Sequence, residues 1–372
     1  MSTKNFQEFA AHAANNPVEH IKRYKAEGKR VMGYTCSYVP EEILDAAGFI
    51  PVRLLGRAQN IRKADKYLQT YCCSQIRSLL EDFLNYAYAG LDGVIFAHTC
   101  DSMQSFHDIF KKNNPDTFVR NVNFPSRIDG DIAYRYTAAE VRRFVKSLEE
   151  FAGAPLNQDS LKESVAVYNR NRELLDRLYS LHLSYPDRIP SVMLLHSVLA
   201  SKFMDKREVN PMLSMYLDTF DAAKPQDNSR KRLTIVGSVN ISDEVYNLAD
   251  EFGATIADDD LCTGRRYFST PVAEPSLDGI TRRYFSRPHC AAKHRDIHSR
   301  SRYIAGMAKD LKINGVIFLY LKFCDPHAFD YPYIKEALDA AHVPSQLIEV
   351  EQTSARSGQI RTKMQAFMEM LG

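Results

Sequence analysis

Seven cysteines and no tryptophan stand out in a chain of 372 residues. A thiol can pack as a small hydrophobe, hold a soft metal as thiolate, or exchange electrons, and its surroundings decide which. Four of the seven, Cys36, Cys100, Cys262 and Cys324, fall just after short β-rich runs instead of inside them. In open α/β sheets that is where ligands gather, beyond the carboxyl ends of the strands. Cys73 opens a stretch, Ser74 to Leu84, that reads as a helix. Free N–H groups and the positive end of the helix dipole there would stabilise a thiolate or an anionic cluster, with Arg77 one turn further in. No CxxC pair signals a zinc site, whereas iron–sulfur clusters can draw thiolates from distant segments. The odd count in so long a chain is not a disulfide framework.

The elements that must position these thiols follow from the alternation of β-rich and helical stretches. Candidate strands are Val31 to Thr35, Ile50 to Leu55, Gly93 to Ala97, Phe118 to Val122, Leu233 to Ser238, Ala254 to Ala257, Gly315 to Tyr320 and Gln346 to Val350. From Thr137 to about Ala223, apolar residues recur at helical spacing without strand-like runs, broken at Asn157, Pro186 and Pro190. The segment Lys224 to Lys231 reads as a linker. The expected fold class is α/β: two parallel-sheet domains, Rossmann-like or flavodoxin-like, with a helical section between them. The expected boundaries are 1–150, 151–230 and 231–372, in line with about 150 residues per domain. The two ends also echo one another. Gly93-Val94-Ile95-Phe96 leads to Cys100-Asp101, and Gly315-Val316-Ile317-Phe318 leads to Cys324-Asp325.

At 25% charged and 45% apolar the composition is that of a globular protein, and a net charge of +2 gives no global attraction to nucleic acid. No run of 18 apolar residues suggests a membrane span, and Met1 to Asn16 lacks the pattern of a secretory signal. The expected compartment is the cytoplasm, where thiols stay reduced.

Several blocks resemble the 2-hydroxyacyl-CoA dehydratase and benzoyl-CoA reductase family. They are Tyr34-Thr35-Cys36-Ser37-Tyr38-Val39-Pro40-Glu41-Glu42-Ile43-Leu44, Cys73-Ser74-Gln75-Ile76-Arg77-Ser78, Cys100-Asp101, and Lys322-Phe323-Cys324-Asp325-Pro326 with Asp330-Tyr331-Pro332. The tail from Gly358 to Met370 is similar to that family's closing helix. The resemblance implies one [4Fe-4S] cluster held by Cys73, Cys100 and Cys324, with one iron left open to water, sulfide or a substrate oxygen. Cys72 is then a bystander. It also implies a homologous second subunit, in a hetero- or homodimer, an ATP-dependent iron–sulfur activator protein and an acyl-CoA substrate. One low-potential electron would reach the thioester carbonyl, and the 2-hydroxyl would leave as water. In the reductase branch the electrons would instead enter an aromatic ring. A related branch, the double-cubane cluster proteins, uses six cysteines for an [8Fe-9S] cluster, and here Cys36, Cys262 and Cys290 could complete that set. A chain that only relays electrons to a homologous subunit is a further reading.

Other candidates surround these. Ser37, Tyr38 and Glu41 would face the thioester, and Glu41 could move a proton if burial raised its pKa. Arg265 and Arg266 follow Asp258-Asp259-Asp260-Leu261-Cys262, three acids that read as a solvated loop after a strand and that resemble a family block near the cleft. Residues 282–302 carry Arg282, Arg283, Arg287, Lys293, Arg295, Arg300 and Arg302 with a single acid, Asp296. Such a run suits the phosphates of coenzyme A or an acidic partner surface. Within it His294 and His298 have the spacing of two imidazoles on one helix face, without an acidic third ligand.

Overall fold

Short Val- and Ile-rich runs become eight strands in two parallel sheets of identical order. The computed structural model describes residues 3–220, 229–351 and 357–372. The first sheet holds β1 (Arg30–Tyr34), β2 (Phe49–Arg53), β3 (Gly93–Ala97) and β4 (Phe118–Val122) in the order β2-β1-β3-β4. The second holds β5 (Lys231–Gly237), β6 (Ala254–Asp260), β7 (Gly315–Leu321) and β8 (Ser345–Val350) in the order β6-β5-β7-β8. All pairings are parallel. In each sheet the chain reverses its direction of growth between the first and third strands, which opens a crevice beyond their carboxyl ends.

Helices cover both faces, so β2, β3 and β6 are buried along their whole lengths and read as continuous apolar runs where acids do not interrupt. Burying Val31, Val94, Phe96, Ile235 or Ile317 contributes about 1.5–3 kcal/mol each. The middle of the chain is helical, as Gly130–Ala152, Gln158–Ser184, Val192–Phe203 and Lys206–Asp218. The helix Gly130–Ala152 crosses the boundary expected at residue 150. Asn157 caps Gln158–Ser184 by accepting from the N–H groups of Asp159 and Ser160. Val192–Phe203 is buried on every side and packs against β2 and the N-terminal helix Thr3–Asn15. Most of the segment expected to be a linker lies outside the described residues.

Two local expectations are corrected. Asp258, Asp259 and Asp260 are not a solvated loop: they are the buried end of β6, and each finds donors there. Asp258 takes Arg265 Nε at 2.7 Å, Asp259 takes the Arg265 amide at 2.8 Å and the Tyr179 hydroxyl, and Asp260 pairs with Arg266 and Arg300. Gly264 is needed in the turn that follows, since a Cβ there would lie 1.8 Å from Asp259 Oδ1. His294 and His298 do not share a helix face, because the following helix starts only at Ser299 and residues 288–298 are irregular. No helix among the described residues is long and apolar enough to cross a membrane.

Candidate metal centre

Six of the seven cysteines line one cavity of about 110 Å³ at the carboxyl ends of both sheets. Cys36 follows β1, Cys100 follows β3, Cys262 follows β6 and Cys324 follows β7; Cys73 and Cys290 complete the ring. Cys72 does not line the cavity and its S–H is directed to Gln69 Oε1 at 3.8 Å. The remaining wall is largely apolar, with Ile76, Leu79, Met103, Val239 and Leu321.

Cys73, Cys100 and Cys324 are the N-cap residues of the helices Ser74–Leu84, Asp101–Asn113 and Asp325–Ala340. None makes a formed capping hydrogen bond, so three helix N-termini present first-turn N–H groups to whatever the sulfurs hold. Burial pushes all three thiols upward, Cys324 to about 12, and neighbouring sulfurs add to it: Cys324 and Cys100 on Cys73, Cys36 on Cys100, and Cys100 and Cys262 on Cys324. Backbone N–H groups of Ile76, Met103 and His327, three residues on in each helix, act in the opposite sense. Without a bound cation the three are therefore thiols, and metal binding must release their protons.

Cys262 differs. Burial works to raise it, but Arg266, whose Nη2 lies 3.4 Å from the sulfur, outweighs burial with help from Arg53 and Lys202, and the thiol sits below its ordinary value. Arg266 is held by Asp260 at 2.7 Å and by the Gly237 carbonyl at 2.6 Å. Asp260 also takes Arg300, which reaches Asp330. Thus Asp260, the last residue of β6, anchors the guanidinium that meets the Cys262 sulfur.

The donor set fits an iron–sulfur cluster. It is soft and buried, three of its sulfurs stand at helix N-termini, and the cavity wall carries a buried guanidinium, Arg53, whose Nε and Nη1 have no acceptor. Among the described residues no three His, Cys, Asp or Glu side chains converge on a point that could hold a single metal ion. A cluster of several irons spaces its thiolates more widely than one ion does.

The remaining sequence candidates separate. Ser37 donates to the Cys262 carbonyl and accepts from Lys202 Nζ, both at 3.2 Å. Glu41 does not have the raised pKa expected of a proton-transfer acid. Burial works to raise it, but Lys206 at 3.0 Å and Lys202 win and hold it below the ordinary carboxylate range. Tyr38 is buried away from the cavity, with Arg287 4.6 Å above its ring. Arg265 is engaged by Asp258 and Asp176. In the basic run, Arg283 and Lys293 are not available to a solvent-borne phosphate: Arg283 donates to the Thr270 and Tyr267 carbonyls, and Lys293 to those of His98 and Phe124. Arg287 and Arg300 are buried as well, which leaves Arg282, Arg295 and Arg302 exposed. Sequence reasoning misses Arg53 and Lys202. Their only signal is an arginine or lysine at or next to the end of a mostly apolar element, Phe49–Arg53 and Val192–Phe203.

Curated relatives match the chain along nearly its whole length. The (R)-phenyllactyl-CoA dehydratase beta subunit of Clostridium sporogenes is 28% identical over 100% of this chain and 99% of its own length. The (R)-2-hydroxyglutaryl-CoA dehydratase subunit beta of Acidaminococcus fermentans is 28% identical over 99% of this chain and 98% of its own. A benzoyl-CoA reductase subunit of Thauera aromatica is 26% identical over 92% of this chain and 91% of its own. The family model for the 2-hydroxyglutaryl-CoA dehydratase D-component matches residues 36–371, and with nearly the whole chain so covered, the protein belongs to that family.

Proposed function

We propose that this chain is the iron–sulfur subunit of a reductive 2-hydroxyacyl-CoA dehydratase, working in the cytoplasm with a homologous second subunit and an ATP-dependent activator. The observation that carries the reading is the meeting of Cys73, Cys100 and Cys324, each at a helix N-terminus, in one buried cavity. A [4Fe-4S] cluster bound there would supply single electrons at low potential. The chain's own groups do the rest. The apolar wall of Ile76, Leu79 and Met103 excludes water, and the three N-termini offset the charge of the thiolates. Lys202 donates to Ser37 Oγ, while Glu41 stays ionised between Lys206 and the Tyr267 hydroxyl. Exposed Arg295 would face coenzyme A phosphates or an acidic partner, with Arg282 beside it if it leaves its pairing with Asp278. Relatives named as subunits of dehydratases and of a reductase support assembly with another chain. Reduction of a benzoyl-CoA ring is the corresponding reading if the reductase relative is the better guide.

A second reading rests on its own observation: Cys36, Cys262 and Cys290 line the same cavity as the other three. Six thiols suit an [8Fe-9S] double cubane and a reductase of small molecules. Anaerobic purification with iron and sulfide analysis separates the two, at four irons per chain against eight. Dehydration of 2-hydroxyacyl-CoA esters, assayed with and without the homologous partner, tests the activity; four irons and water loss are the expected results. A chain that binds neither iron nor sulfide overturns both readings.

A further inference from the structure

Arg53 ends β2, opposite Tyr34 of β1, and its side chain is 4% exposed. It lines the thiol cavity, and its Nε and Nη1 have no hydrogen-bond partner. The other deeply buried arginines are not in this position. Arg172 pairs with Glu42, Arg266 with Asp260, and Arg300 with Asp260 and Asp330; Arg283 and Arg287 donate to carbonyls. Among the described residues no carboxylate pairs with Arg53; the Tyr34 ring centre lies 5.7 Å from its guanidinium, Lys202 acts on it as a second cation, and the Cys262 sulfur is the nearby group whose ionised form it favours. The protein alone therefore holds a desolvated guanidinium with an aromatic ring and a sulfur beside it but no ion-pair partner. A buried cation of this kind calls for an anion, and the cavity it faces is walled by sulfur.

We propose that Arg53 is the counter-ion and hydrogen-bond donor to the sulfur face of the bound cluster. The inference rests on the iron–sulfur reading above and adds to it a positioning residue outside the cysteine set. A fixed positive charge on the cavity wall would favour the reduced, more negative form of a cluster held there, so Arg53 would raise the potential at which that cluster accepts its electron. In return the cluster supplies the anion that Arg53 lacks, and the two stabilise one another.

The test compares the full-length wild type, Arg53→Met and Arg53→Lys, iron-free and after anaerobic loading with ferrous iron and sulfide. Iron-free Arg53→Met should melt at a higher temperature than wild type, because an uncompensated buried charge has been removed. Loaded Arg53→Met should titrate at a lower potential by electron paramagnetic resonance and lose iron to a chelator several-fold faster, with Arg53→Lys in between. Failure of Arg53→Met to load, together with the raised melting temperature, supports the proposal equally. An iron-free Arg53→Met that melts at or below wild type overturns it, and so does a loaded variant with unchanged potential. Wild type that takes up no iron or sulfide overturns the cluster reading, and this proposal with it.

Discussion

Cys100 and Cys324 occupy matching positions in the two halves of the molecule. Each is the N-cap of the helix that leaves the third strand of a sheet ordered second, first, third, fourth. The preceding strands share the text Gly-Val-Ile-Phe, and the helices begin with Asp101 and Asp325. A two-residue connection from strand to N-cap, different in backbone conformation in the two halves, therefore delivers a thiol from each sheet to the same cavity. The first sheet supplies a further thiol after β1, Cys36, where the second has Ser238, and Ser238 acts on Cys324 from the cavity wall.

Replacing either of the matched thiols should empty the site without harming the fold. Serine is a better N-cap than cysteine, so Cys100→Ser and Cys324→Ser should leave the melting temperature of the iron-free protein unchanged or raise stability by about 0.5–1 kcal/mol. Iron per chain after anaerobic loading should fall to background. Cys72→Ser, outside the cavity, should keep its iron. Full iron retention by Cys324→Ser would sink the ligand assignment.

Glu42 and Arg172 form an ion pair with both side chains buried. Burial works to raise the carboxyl, but Arg172 and Arg283 overcome it and hold Glu42 at about 2, against an ordinary value of 4.5. A folded-state pKa below the unfolded one contributes stability above about pH 4.5 that is lost as the pH falls toward 2. Urea denaturation from pH 7 downward should show that loss in wild type. Glu42→Gln should show less of it and should already be weaker at pH 7 by about 3–5 kcal/mol, since it strands a buried guanidinium. The double change Glu42→Leu with Arg172→Leu should cost less than the single one. A single variant that costs under about 1 kcal/mol would contradict the burial.

How much of this is legible in the sequence depends on how far apart the partners lie. All eight strands are visible as β-rich runs; those buried on both faces, such as β3, carry their signature locally, while the half-buried edge strands β4 and β8 show it more weakly. The pattern ends β6 at Ala257 since three aspartates look like a loop, and the cations that make them strand residues, Arg266 and Arg300, lie 6 and 40 residues downstream of Asp260. Glu41 fails as a raised-pKa acid for the same reason, its partner Lys206 being 165 residues away. The shared cavity of Cys36, Cys262 and Cys290 is only one option in the sequence, as no spacing rule links segments on two different sheets. Burial of Arg283 and Lys293 is hidden too. A dense basic run suggests a charged surface, yet their carbonyl acceptors come from loops and strand ends that a charge count does not register.

Phe323 holds the turn before Cys324 in the left-handed region, at φ 64°, with Lys322 Nζ 5.1 Å from its ring. A Cβ in that region costs roughly 1–2 kcal/mol that glycine does not incur. Phe323→Ala and Phe323→Gly both lose the ring, so the difference between them isolates the backbone. The glycine variant should be more stable than the alanine variant by about 1 kcal/mol in chemical denaturation. Equal stabilities would mean that the turn relaxes without its ring, and the position of Cys324 would then not depend on residue 323.

Lys202 lies one residue from the end of the largely buried helix Val192–Phe203, with its ammonium 3.4 Å from the centre of the Tyr267 ring and 3.2 Å from Ser37 Oγ. Burial drives its pKa well below 10.5, and the nearby Arg53 pushes the same way; Glu41 opposes them. The sign of the consequence follows from proton counting. Between the lowered folded value and 10.5 the unfolded chain binds the proton and the folded one does not, so stability rises with pH across that window. Below it the full cost of the buried lysine is present. Lys202→Met keeps the packing volume and removes that cost, so the iron-free variant should be more stable than wild type at pH 6. Its advantage should shrink as the pH is raised toward 10.5. Denaturation curves of both proteins at several pH values measure it, and an advantage that grows with pH would show that Lys202 stays protonated in the folded chain.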